Sequence, residues 1–153
     1  GWTYQGGALQ WGFMLNWVLP YLTTADLVRR HGRTPLPDFE ERRQRMAAVV
    51  DGMDKTALTL PLADFPIDTE LSPYFAKWLA HPTDDAFWKG CSIERRHDRV
   101  AVPAFNVGGW YDIFLDGTIR NFTGVREQGT TEAARGGSRL LLGPWTHTTP
   151  PLA

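Results

Sequence analysis

The chain has 153 residues, 42% hydrophobic and 22% charged, with 16 Lys and Arg against 17 Asp and Glu for a net charge of −1. That is the size and balance of one ordinary globular domain, with no basic footprint for nucleic acid and no patch for an anionic membrane surface. The single cysteine, Cys91, excludes an internal disulfide and any multi-cysteine metal site, and no apolar run approaches the ~20 residues of a membrane span.

Residues 7–30 read as a helix, with Leu9, Phe13, Trp17 and Tyr21 at intervals of four, and Pro20 is expected to kink or split it. Gly32 and the pair Pro35 and Pro37 stop that helix. A second opens at Pro37-Asp38 with acids in its first turn, carries Met46, Val49 and Val50 further on, and ends at Gly52 and Asp54. Residues 56–68 form a Pro- and Asp-bearing connection. Two brief helices are expected at 72–80, capped by Ser72 with Pro73 at its first position, and at 84–90, with one more turn at 93–98. The basic runs Arg42-Arg43-Gln44-Arg45 and Arg95-Arg96-His97 have acids beside them and read as solvated helix faces.

At Arg99 the pattern changes. Residues 102–107 (V-P-A-F-N-V) and 139–142 (R-L-L-L) are short, mostly apolar runs bounded by glycine, as for strands buried on both faces of a parallel sheet. The segment between them, with a helix at 113–125, is long enough to cross over. Such crossovers are right-handed in nearly all cases, so the strands return parallel with their carboxyl ends on one edge. The fold class is therefore α/β: two late parallel strands with a crossover helix (100–153), preceded by a mostly helical block (1–99). Two strands and one crossover do not close a sheet from water, so this stretch alone is expected to fold poorly or aggregate.

The edge so formed carries the chemistry. Gly108-Gly109-Trp110-Tyr111-Asp112 follows the first strand and Gly143-Pro144-Trp145-Thr146-His147 the second, which sets a carboxylate and an imidazole on adjacent loops where open α/β sheets bind ligands. A nucleophilic hydroxyl needs a base in hydrogen-bond reach, and the base needs a third group to fix its tautomer. His147 suits the base and Asp112 the orienter. Two plainer readings stand beside this: Asp112 as the cap of a helix opening at Ile113, and His147 as a loop histidine bonding a backbone carbonyl.

Other candidates carry less. His31 and His81 sit at helix ends and His97 lies among arginines, which reads as structural. Asp116 lies one helical turn after Asp112 and should point along the helix surface. Asp64 and Asp68 sit in the connection, where they meet a substrate amine or merely solvent. No His or carboxylate pair at helical spacing has a clear third ligand, so neither metal nor cofactor is expected. The serines are Ser72, Ser92 and Ser138, and none stands in the G-x-S-x-G turn from strand to helix that a serine nucleophile of this type needs. Of the seven tryptophans, Trp11, Trp78 and Trp88 read as core, whereas Trp110 and Trp145, each within two residues of Asp112 or His147, are expected to wall a pocket.

G-G-W-Y-D at 108–112 and L-L-L-G-P-W-T-H at 140–147 resemble the acid and base motifs of the X-prolyl dipeptidyl-peptidase and cocaine esterase hydrolases, the CocE/NonD group, which includes glutaryl-cephalosporin acylases and α-amino acid ester hydrolases. Gly6-Gly7-Ala8-Leu9 leading to Trp17 resembles the opening of that family's cap, and H-P-T-D-D-A-F-W at 81–88 the segment before its late strands. The likeness implies a partial α/β-hydrolase fold, with 1–99 as a cap insertion and 100–153 as the late part of the core. Asp112 and His147 are then triad members, and Trp2, Trp17 and Phe114 line the acyl pocket. It further implies that the family's serine elbow and oxyanion tyrosine lie upstream of Gly1 and its jelly-roll domain after Ala153. The chain is thus expected to be an internal fragment of a serine hydrolase, acting on a small-molecule ester, amide or peptide and inactive by itself. The competing reading, from another class, is a noncatalytic aromatic-lined ligand-binding module.

Overall fold

The structure is a computed structural model describing residues 2–147, and the chain divides into two compact units between Asp84 and Asp85. The first opens on a hairpin, β1 (Tyr4–Gln5) against β2 (Ala8–Leu9), instead of the helix expected from Gly7. Gly6 and Gly7 occupy the turn with φ of 58° and 85°, and a two-residue hairpin turn with both central φ positive is the one that matches strand twist. The helix α1 therefore begins only at Trp11 (Trp11–Trp17).

Pro20 does split the helical run, and the break takes a specific form. Residues Val18–Thr23 are π-helical and lead directly into α2 (Thr24–Arg33), so the chain widens by one residue per turn around a proline that has no N–H to give. The hydroxyl of Thr23 donates to the carbonyl of Val18 five residues back, at 2.9 Å. Thr23 and Ser72 are both fully buried and their hydroxyls bond each other, while Ser72 also meets the Tyr74 hydroxyl at 3.2 Å. Ser72 thus stands at the N-terminus of α5 (Pro73–Ala80) as expected but makes no capping bond, because its side chain is engaged by Thr23.

The remaining elements of this unit are α3 (Phe39–Asp51), α4 (Met53–Thr56) and a 3₁₀ turn at Leu62–Asp64. Met14, Leu15, Val18, Leu19, Phe65 and Phe75 form its buried core, and Trp11 closes it by donating its indole N–H to the carbonyl of Ala57 at 2.9 Å. His31 accepts the backbone N–H of Leu36 and stacks on Phe39, which fixes the turn between α2 and α3.

The second unit contains α6 (Ala86–Cys91), capped by the Asp85 carboxylate on the N–H of Phe87, then 3₁₀ turns at Ile93–Arg95 and His97–Arg99. β3 (Phe105–Gly109) and β4 (Arg139–Gly143) pair in parallel from Phe105↔Arg139 to Gly109↔Gly143. β3 starts later than expected, after Pro103, which cannot donate to a ladder. The crossover holds two helices where one was expected. α7 (Leu115–Gln128) is followed by α8 (Glu132–Gly137), which Thr131 caps by accepting the N–H of Ala134 at 3.0 Å.

The unit boundary precedes the change of sequence pattern at Arg99, because the 3₁₀ turns pack on α7. His97, 4% exposed, fills the space where Gly124 lacks a side chain, and its Nε2 lies 3.2 Å from Asn121 Oδ1. Among the described residues a helix covers one face of the sheet, while the other is covered only at its carboxyl end by Trp145, against the expectation of burial on both. A Cβ at Gly108 would stand 3.2 Å from the methyl of Thr118 on α7, so this face packs closely. On the other face Phe105, Val107 and Leu141 remain 69%, 50% and 46% exposed. Among the described residues no helix is long and apolar enough to cross a membrane.

Candidate active site

Beyond Gly109 and Gly143 the two chains leave the ladder but stay bonded to each other. The N–H of Trp110 donates to the carbonyl of Gly143 at 2.8 Å, and that of Tyr111 to the carbonyl of Trp145 at 3.2 Å. Asp112 turns back so that its own N–H meets the carbonyl of Gly109 at 3.1 Å. Its carboxylate is then divided between two partners. Oδ1 accepts the backbone N–H of Phe114 at 2.8 Å and Oδ2 faces Nδ1 of His147 at 3.1 Å.

One oxygen closes an Asx turn just before α7 and the other meets the imidazole; α7 opens at Leu115 after Phe114 with no side-chain cap, so Asp112 does not cap a helix opening at Ile113. A carboxylate oxygen can only accept, so the contact calls for a proton on Nδ1. Asp112 is largely covered, its side chain 11% exposed, while His147 is 51% exposed. The edge of Phe114 meets the imidazole at 4.8 Å and 84°, so the ring is fixed by an apolar wall as well as by the acid. The imidazole is thus held through Nδ1, on the side of the ring that faces Asp112.

The rival acid is otherwise engaged. Asp116 is on the surface of α7 and pairs with Arg120 at 2.9 Å. Asp68 joins Arg42 at 2.8 Å and accepts the N–H groups of Glu70 and Leu71, so it serves the first unit's own loop, and Asp64 is exposed in the 3₁₀ turn. Arg42 also meets Asp38 and Glu70, and these carboxylates, Asp38 foremost, hold its proton more tightly than usual. Ser138 is buried between the N–H of Ala104 and the carbonyl of Ala134, and Ser72 is held in its hydroxyl chain. Among the described residues no group of three His, Cys, Asp or Glu side chains converges as a metal site would require.

The five aromatic positions separate by unit. In the first, Trp2 packs edge-on against Phe13 at 5.4 Å and Trp78 at 5.5 Å, and Trp17 lies between Phe13 and Tyr21, making one continuous aromatic strip. In the second, Trp110 is 57% exposed, Phe114 abuts His147, and Trp145 folds back with its ring on the backbone of Gly143. The part of this constellation that sequence reading missed is that glycine seat. The signal was present as a buried glycine ending each strand, but glycine pairs at strand ends are read as turn residues.

A paired aspartate and histidine on adjacent loops, at the carboxyl ends of two parallel strands joined by a crossover of helices, are compatible with a partial α/β-type fold. The sequence model of the family described as X-Pro dipeptidyl-peptidase (S15 family) matches residues 1–149. Over 147 residues the chain is 29% identical to a cocaine esterase of Rhodococcus sp. (strain MB1 Bresler), an alignment that covers 95% of this chain and 24% of the esterase. The chain belongs to the X-Pro dipeptidyl-peptidase (S15) family, a family of hydrolases, and it spans about a quarter of the length of the curated relative it matches.

Proposed function

We propose that this chain supplies the acid and base of a Ser-Asp-His triad in a serine hydrolase of the α/β-hydrolase fold, cleaving ester or amide bonds of acyl or X-Pro dipeptidyl substrates. The observation that carries it is the 3.1 Å contact of Asp112 Oδ2 with His147 Nδ1, made at parallel strand ends in a chain of this family.

The chemistry runs through Nε2 of His147. It takes the proton of a serine hydroxyl as that oxygen attacks the substrate carbonyl, and the imidazolium so formed is stabilised by Asp112 across Nδ1–H. The same proton passes to the departing alcohol or amine. Water then repeats the sequence with the imidazole as base, releasing the acid and restoring the serine. Ser72 and Ser138 are buried and engaged, and Ser92 lies between the end of α6 and a 3₁₀ turn, not between a strand and a helix, so the nucleophile of this scheme is a serine outside this stretch, as the family likeness implies. Trp110, Phe114 and Trp145, on the loops that carry the pair, supply apolar surface for the acyl group.

A fluorophosphonate probe tests this in the intact protein. A serine should be labelled, and His147→Ala should abolish the labelling while the fold persists. Labelling at an undiminished rate in that variant would show that His147 is not the base, and no labelling of the parent would favour a noncatalytic aromatic-lined module.

A further inference from the structure

We propose that Trp145 is the positioning residue of the Asp112–His147 pair, seated on Gly109 and Gly143, two glycines that are there for space and not for backbone conformation. The proposal rests on the dyad reading above and adds the device that holds it.

The positive-φ glycines are Gly6 and Gly7, so neither Gly109 nor Gly143 is required by an unusual backbone angle. Both are buried, directly opposite each other in the last rung of the ladder. A Cβ on Gly143 would overlap three atoms of the six-membered ring of Trp145, and one on Gly109 would overlap the Trp145 carbonyl oxygen. One residue therefore occupies both vacancies, its ring over one strand end and its backbone over the other. Its carbonyl is also the acceptor for Tyr111 N–H.

The consequence is a continuation of the parallel ladder beyond the strands. Gly143 to Trp110 and Trp145 to Tyr111 are two backbone rungs, and the next pair in line is His147 with Asp112. His147 lies on a loop after proline, with a ring half exposed that also meets the edge of Phe114. The indole on Gly143 anchors the second rung, and removing it loosens the register of the imidazole with the carboxylate. Trp145 touches no reacting atom in this scheme; it acts through the register of the base.

Ring-nitrogen NMR of the intact protein labelled with ¹⁵N-histidine provides the test, with His147 and His97 each assigned by substitution. In the parent, neutral His147 should carry its proton on Nδ1, and Asp112→Asn should abolish that signature. If the parent shows no such Asp112-dependent signature, the dyad reading fails and the proposal with it.

Given the signature, Trp145→Ala and Gly143→Val should each lose it, while Trp145→Phe, which keeps a flat ring over the glycine, should retain most of it. His97, packed on Gly124 in the same unit, should keep its own signals throughout. Retention of the parent signature in both Trp145→Ala and Gly143→Val would overturn the proposal and leave the dyad standing. Loss of the His97 signals along with those of His147 in Trp145→Ala would overturn it too, by showing that the indole holds the unit as a whole.

Discussion

Asp112 and Phe114 are joined by a 2.8 Å bond from the backbone N–H of one to Oδ1 of the other, and this bond is what aims the remaining carboxylate oxygen at His147. A free aspartate would lose rotamer freedom on meeting the imidazole. Here the rotamer is already fixed by the turn into α7, so in the proposed triad the carboxylate is preorganised before any substrate arrives.

Asp112→Asn should therefore separate geometry from chemistry. The amide can keep the Phe114 bond through its oxygen, and it then presents an NH₂ donor to Nδ1, which selects the wrong tautomer of the base. In the chymotrypsin-type triad that change costs about 10⁴-fold in kcat. A loss of similar order is expected in the intact protein with KM little changed, measured on an activated ester. Activity within tenfold of the parent would remove Asp112 from the orienting role.

The meeting of these two side chains was legible because it depends on local features: an apolar run, a glycine, a polar residue, repeated across one crossover. What was not legible depended on partners distant in sequence. The four-residue interval of Leu9, Phe13 and Trp17 indicates a helix, yet Gly6 and Gly7 turn the chain first, since periodicity carries no information on φ. Ser72 reads as a cap by composition, but its partner Thr23 lies 49 residues away. Phe105 and Val107 read as buried because apolar runs mark parallel strands; only the three-dimensional layers show that α7 covers the opposite face.

The hydroxyl chain in the first unit has a determined direction. Thr23 spends its one proton on the carbonyl of Val18, so Ser72 must donate to Thr23, and Tyr74 in turn to Ser72. Thr23→Val would leave the Ser72 donor buried without its acceptor, at a cost of about 1–3 kcal/mol. Ser72→Ala should cost less, because Thr23 keeps Val18 and the half-buried Tyr74 can turn toward water. The double variant should be less destabilised than the two losses added together, by about 0.5–3 kcal/mol, since both ends of one bond then vanish. Urea unfolding of all four proteins measures this cycle, and strict additivity would show that the two hydroxyls are not coupled.

On the exposed face of α3, Arg43 grips both oxygens of Glu40 while Gln44 donates to one of them, and these bonds, Arg43 first, draw the carboxyl down to about 2. A carboxylate whose folded value lies below its unfolded one, about 4.3, binds fewer protons when folded. Its contribution is therefore complete above the unfolded value and disappears as pH falls through the folded one. Glu40→Gln should accordingly lower the urea midpoint by a small, constant amount near neutrality, small because both partners are more than half exposed. The gap should narrow between about pH 4.3 and 2 and be reduced further by salt. A gap that stays the same at pH 2 would assign the effect to helix propensity instead of the ion pair.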